Sequence, residues 1–136
     1  VITAVDSSVL LDVLGSDATF GPASASAIRV ALAQGPLVAC EVVWAEVAGS
    51  FASAAAANEA FNRLNLEFSA LTLQAALEAG MAWKSYRARG GVRTRVIADF
   101  LIGAHALFQA DRLLTRDRGF YRACFKRLRV IQPSVH

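Results

Sequence analysis

The sequence predicts an α/β domain in which a parallel sheet carries helices on both faces. Three observations point there. Short β-favouring apolar runs at 1–5, 37–40, 112–115 and 128–131 alternate with longer stretches of helical periodicity. Strands separated by helices need crossover connections, which make neighbouring strands parallel and lay the helices over the sheet. The chain has 136 residues, 55% of them apolar, with a mean hydropathy of +0.42. That is enough for one core, too little for two, and too apolar for a disordered protein.

Residues 1–5 form the first expected strand, stopped at Asp6-Ser7-Ser8, after which Val9, Leu10, Leu11, Val13 and Leu14 carry helical spacing. A loop over 15–22 leads to a small amphipathic helix over 23–34, with Ile28, Val30 and Leu32 available for burial and Gly35-Pro36 as its stop. After the second strand, Glu41 begins what reads as one long Ala-rich helix reaching residue 58, followed by another over 58–65. Residues 66–68 read as a brief edge strand. Thr72 caps a helix that runs to Arg89 and stops at Gly90-Gly91. Residues 96–109 give a further helix, with Val96, Phe100, Leu101, Ala104, Leu107 and Phe108 on one broad face. The strand over 112–115, a turn at 116–119, a short helix through Phe120 to residue 125 and a last strand before Pro133 follow. No repeat or linker interrupts them, so residues 1–136 read as a single domain.

Cys40 and Cys124 have no second Cys or His at ligand spacing, which excludes a disulfide framework and a zinc site and makes a reducing cytoplasm the natural compartment. No apolar run approaches the ~20 residues of a membrane span, and no segment reads as a signal peptide. Charge is lopsided. Residues 1–83 carry a net −6, whereas 84–136 carry +9, and ten of the twelve basic residues in the second part are Arg. Forked guanidinium groups suit phosphate oxygens, so a polyanionic partner is expected, with solvated helix faces as the plainer reading.

Four of the eleven acidic residues stand out. Asp6 directly follows the first strand and Asp117 follows the 112–115 strand with one residue between. The carboxyl ends of parallel strands share one edge, where ligand sites form, so these two converge although 111 positions apart. Asp111 precedes its strand and belongs to the opposite edge. Glu46 shares a helical stripe with Val42 and Val43, while Glu41 is rotated ~140° away. Asp99 opens the 96–109 helix, where Gly103 and Ala106 permit close approach to the sheet. Each has a plainer role: an N-cap or turn for Asp6 and Asp117, the helix dipole for Asp99, an outward face for Glu46. Together they suggest four carboxylates aimed at one point, which repel unless a cation sits between them. A hard ion, Mg²⁺ or Mn²⁺, takes such oxygen ligands, and with Ser7 and Thr115 as supporting hydroxyls the set suits phosphodiester hydrolysis.

The segments 5–8, 44–47, 97–106 and 114–120, read as Val-Asp-Ser-Ser, Trp-Ala-Glu-Val, Ile-Ala-Asp-Phe-Leu-Ile-Gly-Ala-His-Ala and Leu-Thr-Arg-Asp-Arg-Gly-Phe, resemble the motifs of PIN-domain ribonucleases, specifically VapC-type toxins of toxin-antitoxin pairs. Their acidic residues lie 40, 53 and 18 positions apart, in the family's order. The resemblance implies a PIN-like three-layer α/β/α fold with a central mostly parallel sheet flanked by helices. It implies a Mg²⁺- or Mn²⁺-dependent endoribonuclease, leaving a 5′ phosphate and a 3′ hydroxyl, that forms a homodimer and is inhibited by a cognate antitoxin. On it, Asp6, Glu46, Asp99 and Asp117 are the catalytic and metal-binding carboxylates, and Ser7 and Thr115 support them. Many relatives carry another Asp where this chain has Gly119, so one well-held ion is expected.

Arg112, Arg116, Arg118 and Arg122 are candidate RNA-phosphate contacts, with Arg87, Arg89, Arg93 and Arg95 as a second group. Phe120 and Tyr121 read as core rather than base-stacking residues, His105 as structural, and Trp44 and Trp83 as packing or dimer contacts. The alternative is a catalytically inactive PIN-like module that binds RNA or protein. A phosphohydrolase is disfavoured, because Ser7, Ser8 and Val9 put no second acid beside Asp6.

Overall fold

The computed structural model describes residues 1–91 and 96–134. Twelve elements follow in chain order: β1 (Thr3–Val5), α1 (Ser7–Leu14), α2 (Gly21–Gln34), β2 (Leu37–Ala39), α3 (Glu41–Ala48), α4 (Ala54–Arg63), β3 (Leu66–Phe68), α5 (Leu73–Ala88), α6 (Ile97–Gln109), β4 (Arg112–Leu114), α7 (Arg118–Cys124) and β5 (Val130–Ile131). The strands form one sheet in the order β3-β2-β1-β4-β5, with every neighbouring pair parallel. The architecture is the expected three-layer α/β/α fold. β1, β2 and β4 are buried at every position, as befits strands covered on both faces.

The order of strands contains the feature that matters most for function. From β1 the chain runs outward through β2 to β3, then returns to the other side of β1 for β4 and β5. Crossovers of one hand laid down in two directions put helices on opposite faces and open a crevice where the direction reverses, between β1 and β4. That crevice lies at the carboxyl ends of the strands.

The long helix expected from Glu41 is instead two. α3 stops at Ala48, and Ser53 restarts α4 by accepting a hydrogen bond from the Ala56 N–H at 3.1 Å. Gly49 and Ser50 favour the break, and Ala-rich sequence on either side hid it from periodicity. Thr72 caps α5 as expected, accepting from the Ala75 N–H at 3.2 Å. At Gly35, φ is +154° and a side chain would collide with the Val1 carbonyl, so only glycine lets α2 turn into β2 there. Gly103 serves close packing too, though its neighbour is the Phe125 ring rather than the sheet.

Beside the sheet, α5 packs along α6, and Tyr86, Phe100, Phe120 and Phe125 form an aromatic cluster with ring centroids 5.3–6.4 Å apart. Each fully buried ring of this kind contributes about 1.5–3 kcal/mol. Tyr121 is buried and Phe120 half-buried, which places both in the core. Leu73, Leu77 and Met81, spaced by four residues on α5, are instead 76%, 62% and 58% exposed. No helix is long and apolar enough to cross a membrane among the described residues.

Candidate active site

β1 and β4 are paired in register, Val5 opposite Leu114, and the Asp6 N–H donates to the Leu114 carbonyl at 2.9 Å. Asp6 and Thr115 therefore leave the sheet side by side. The Thr115 hydroxyl donates to Asp6 Oδ2 at 2.7 Å and accepts from the Asp117 N–H at 3.0 Å. One buried threonine thus ties the two strand-end aspartates together across the crevice. Asp6 Oδ1 accepts from the Ser7 N–H at 2.7 Å, so Asp6 does cap α1. The Ser7 hydroxyl then donates to Glu46 Oε1 on α3 at 2.6 Å.

These contacts build an open cavity of about 470 Å³ lined by Asp6, Ser7, Ser8, Leu11, Glu46, Asp99, Arg116 and Asp117. All four expected carboxylates line it, carried by four different parts of the chain. Burial pushes the Asp6 carboxyl up from the ordinary 3.8, opposed by the hydrogen bonds from Thr115 and Ser7 and reinforced by the charges of Asp99 and Glu46. Asp99 sits in the first turn of α6 and Asp117 in the N-cap position of α7, where the positive ends of the helix dipoles favour carboxylates. A larger cavity of about 650 Å³ lies between α2, β4 and β5, but none of its described lining residues is acidic.

The cavity departs from expectation in one respect. Among the described residues, no group of three or more His, Cys, Asp or Glu side chains is placed to hold a metal ion. The four carboxylates share a cavity without closing on one point. Asp6 is turned to Thr115 and Ser7, Glu46 is turned to Ser7, and like charges favour separation. As chemistry the donor set suits a hard divalent cation, being all oxygen. The Ser8 hydroxyl, on the same lining, is buried and has no hydrogen-bond partner among the described residues.

Arg112 is not placed to meet RNA in the crevice. It is buried at the start of β4, at the opposite edge of the sheet, where its Nε donates to Thr3 Oγ1 at 2.9 Å and its Nη2 to Gln34 Oε1. Arg116 lines the cavity, gripped by Asp12. Arg118 and Arg122 are exposed on α7. In the second group, Arg87 lies over the Trp83 ring and Arg89 is exposed, while Arg93 and Arg95 fall outside the described residues. Gly119 adds no carboxylate, and a side chain there would meet open space.

Asp111 lies where its order predicts, at the far edge, accepting from the Ile2 N–H at 2.6 Å. Glu41 also points away, to the Leu71 N–H at 2.9 Å. His105 is buried against Ser69 Oγ at 2.9 Å, and burial lowers its pKa. Sequence reasoning passed over Ser8, Leu11 and Asp12. Asp12 did carry a signal, as the one acid inside the run Leu10-Leu11-Asp12-Val13-Leu14.

A parallel α/β domain with an acidic cleft at its strand-order reversal defines a class, and comparison gives the family. The chain belongs to the PIN domain family, whose pattern matches residues 3–126. Solved structures agree on the fold. It resembles VapBC2 from Rickettsia felis bound to a promoter DNA fragment, with a TM-score of 0.77 at 14% identity over 98% of this chain and 100% of that one. It resembles VapBC-1 from nontypeable Haemophilus influenzae, with a TM-score of 0.73 at 17% identity over 97% and 98%. FitAB bound to the IR36 DNA fragment gives 0.69 at 16% identity over 98% and 97%. Among curated proteins, no sequence matches it.

Proposed function

We propose that this PIN domain is the toxin of a toxin-antitoxin pair, an endoribonuclease that hydrolyses RNA in the acidic cavity with Mg²⁺ or Mn²⁺. The observation that carries this reading is the meeting of Asp6, Glu46, Asp99 and Asp117 on one cavity wall. Those four would hold the ion, which when bound supplies charge neutralisation, Lewis acidity and an acidified water. Thr115 and Ser7 orient the carboxylates through the hydrogen bonds already described, and Arg118 and Arg122 give the approaching backbone a positive surface. Holding an ion would require the carboxylates to draw closer together than they stand here.

A second reading is favoured by a specific observation. With no three acids gathered among the described residues, the geometry as it stands asks less of an inactive module that binds RNA or protein in the same cleft. The likeness to VapBC and FitAB structures supports an antitoxin partner under either reading. The exposed stripe of Leu73, Leu77 and Met81 supports a homodimer, because a second copy would cover apolar surface.

A time course on total bacterial RNA, with and without Mn²⁺, decides between the readings. The nuclease reading expects cutting by the wild type in Mn²⁺, none in chelator, and none by Asp99→Asn purified identically. Binding of RNA or antitoxin with no cutting by either protein would establish the inactive module.

A further inference from the structure

Among the described residues, Arg116 is the one basic residue on the lining of the carboxylate cavity, and three separate segments fix its direction. Its Nε donates to Asp12 Oδ2 at 2.8 Å and its Nη2 to Asp12 Oδ1 at 3.1 Å, a two-pronged grip on a carboxylate 104 positions away. Asp12 is itself deeply set, its side chain 5% exposed, and Ser24 Oγ on α2 donates to the same Oδ2 at 2.8 Å. From the turn before α2, the Phe20 ring lies under the guanidinium, 4.1 Å from its carbon to the ring centroid. The side chain that results is 34% exposed, and its Nη1 has no hydrogen-bond partner among the described residues.

Burying a charge to hold another charge is weak evidence for stability, since a well-packed apolar pair often does as well. It does give a guanidinium one orientation, and a guanidinium with both Nη1 hydrogens unused suits a phosphate oxygen. The cavity needs such a group. Four carboxylates repel an approaching phosphodiester, and a cation fixed beside them offsets that repulsion at the point of contact.

We propose that Asp12, Phe20 and Arg116 form a backbone-phosphate subsite, in which Arg116 takes a non-bridging oxygen of an RNA phosphodiester flanking the cavity and Asp12 is its positioning residue. The proposal rests on reading the cavity as an RNA site. Removing Asp12 leaves Arg116 charged but loose, so binding weakens although the protein becomes more positive. Lysine at 116 keeps the charge and loses the fork, so it does not restore binding.

The test is fluorescence anisotropy of a labelled single-stranded oligoribonucleotide across a KCl series, with every variant built on Asp99→Asn so that the RNA stays intact. Arg116→Gln retains an amide donor for Asp12, and circular dichroism checks each fold. The expected results are binding weakened roughly tenfold or more by Arg116→Gln, Arg116→Lys and Asp12→Asn. In Arg116→Gln the log–log salt slope should also shrink by about 0.7, one single-strand phosphate contact. Unchanged binding and slope in Arg116→Gln, full restoration by lysine, or tighter binding by Asp12→Asn would each overturn the subsite. A parent protein that binds no RNA would remove the RNA reading and the subsite with it, whereas a binding parent with unaffected variants removes the subsite alone.

Discussion

β4 is three residues long, and its two ends have opposite characters. At the amino end every charge has a counterpart: Arg112 is bonded to Thr3 and Gln34, and Asp111 to the Ile2 N–H. At the carboxyl end, Thr115 links two aspartates on a cavity that holds two more acids, and burial already disfavours the charge on Asp6. The same residue types serve both ends. What separates them is that one cation and one anion are each bonded to neutral groups at the amino end while four like charges are assembled at the carboxyl end, and assembly at a cost is the mark of a site that binds something.

Substitutions sharpen this contrast, beginning with the carboxyl end. Asp6→Asn and Asp99→Asn should each lower Mn²⁺-dependent cleavage by about 10²–10⁴-fold while leaving the circular dichroism spectrum unchanged. Thr115→Val, matched in shape but without the hydroxyl, should cost about 10–100-fold in activity, read on the same RNA. At the amino end, Arg112→Met should cost about 1–3 kcal/mol in urea unfolding, because Thr3 and Gln34 lose buried partners. Cleavage per folded molecule should stay at the wild-type level, and a folded but inactive Arg112→Met would erase the difference between the two ends.

His105 tests a third place, where α6 meets the turn after β3 and burial lowers its pKa below the ordinary 6.5. In the folded protein it stays neutral while the unfolded chain takes up a proton. Its contribution is therefore present above pH 6.5 and lost as pH falls through the depressed folded value. Urea midpoints followed from pH 8 to 5 should decline for the wild type, with a shallower decline for His105→Asn. The smallest effect belongs to Asp111→Asn: unchanged cleavage and a stability loss of at most about 1 kcal/mol, since its bond is at the surface. Loss of cleavage there would break the assignment of edges.

The central strands were legible because a buried parallel strand is a short apolar run, whereas β3 at 66–68, with Glu67 in its middle and two of its three residues exposed, was legible only as a brief edge strand. Asp6, Asp117 and Asp99 were legible from strand ends and a helix start, which parallel topology sends to one edge, and Glu46 from the helical stripe it shares with Val42 and Val43. Arg112 was misplaced because it neighbours the Thr115-Arg116-Asp117 segment in sequence. At about 3.3 Å per residue, β4 carries it to the other edge, the reasoning that had already removed Asp111. The Asp12–Arg116 pair was not legible, since nothing local links positions 104 apart. The distances that keep the carboxylates from closing on one point are likewise set by side-chain hydrogen bonds, which residue order does not encode.

The Thr115 bridge has a direction. A backbone N–H can only donate, so the Asp117 amide fixes Thr115 Oγ as acceptor on one side and turns its proton toward Asp6 on the other. On its second oxygen, Asp6 again faces an amide that cannot become an acceptor. Every dipole in this short chain points its positive end at Asp6, so a proton arriving there meets hydrogens already aimed at both oxygens. These hydrogen bonds favour the Asp6 anion and so offset part, but not all, of the burial that raises its pKa.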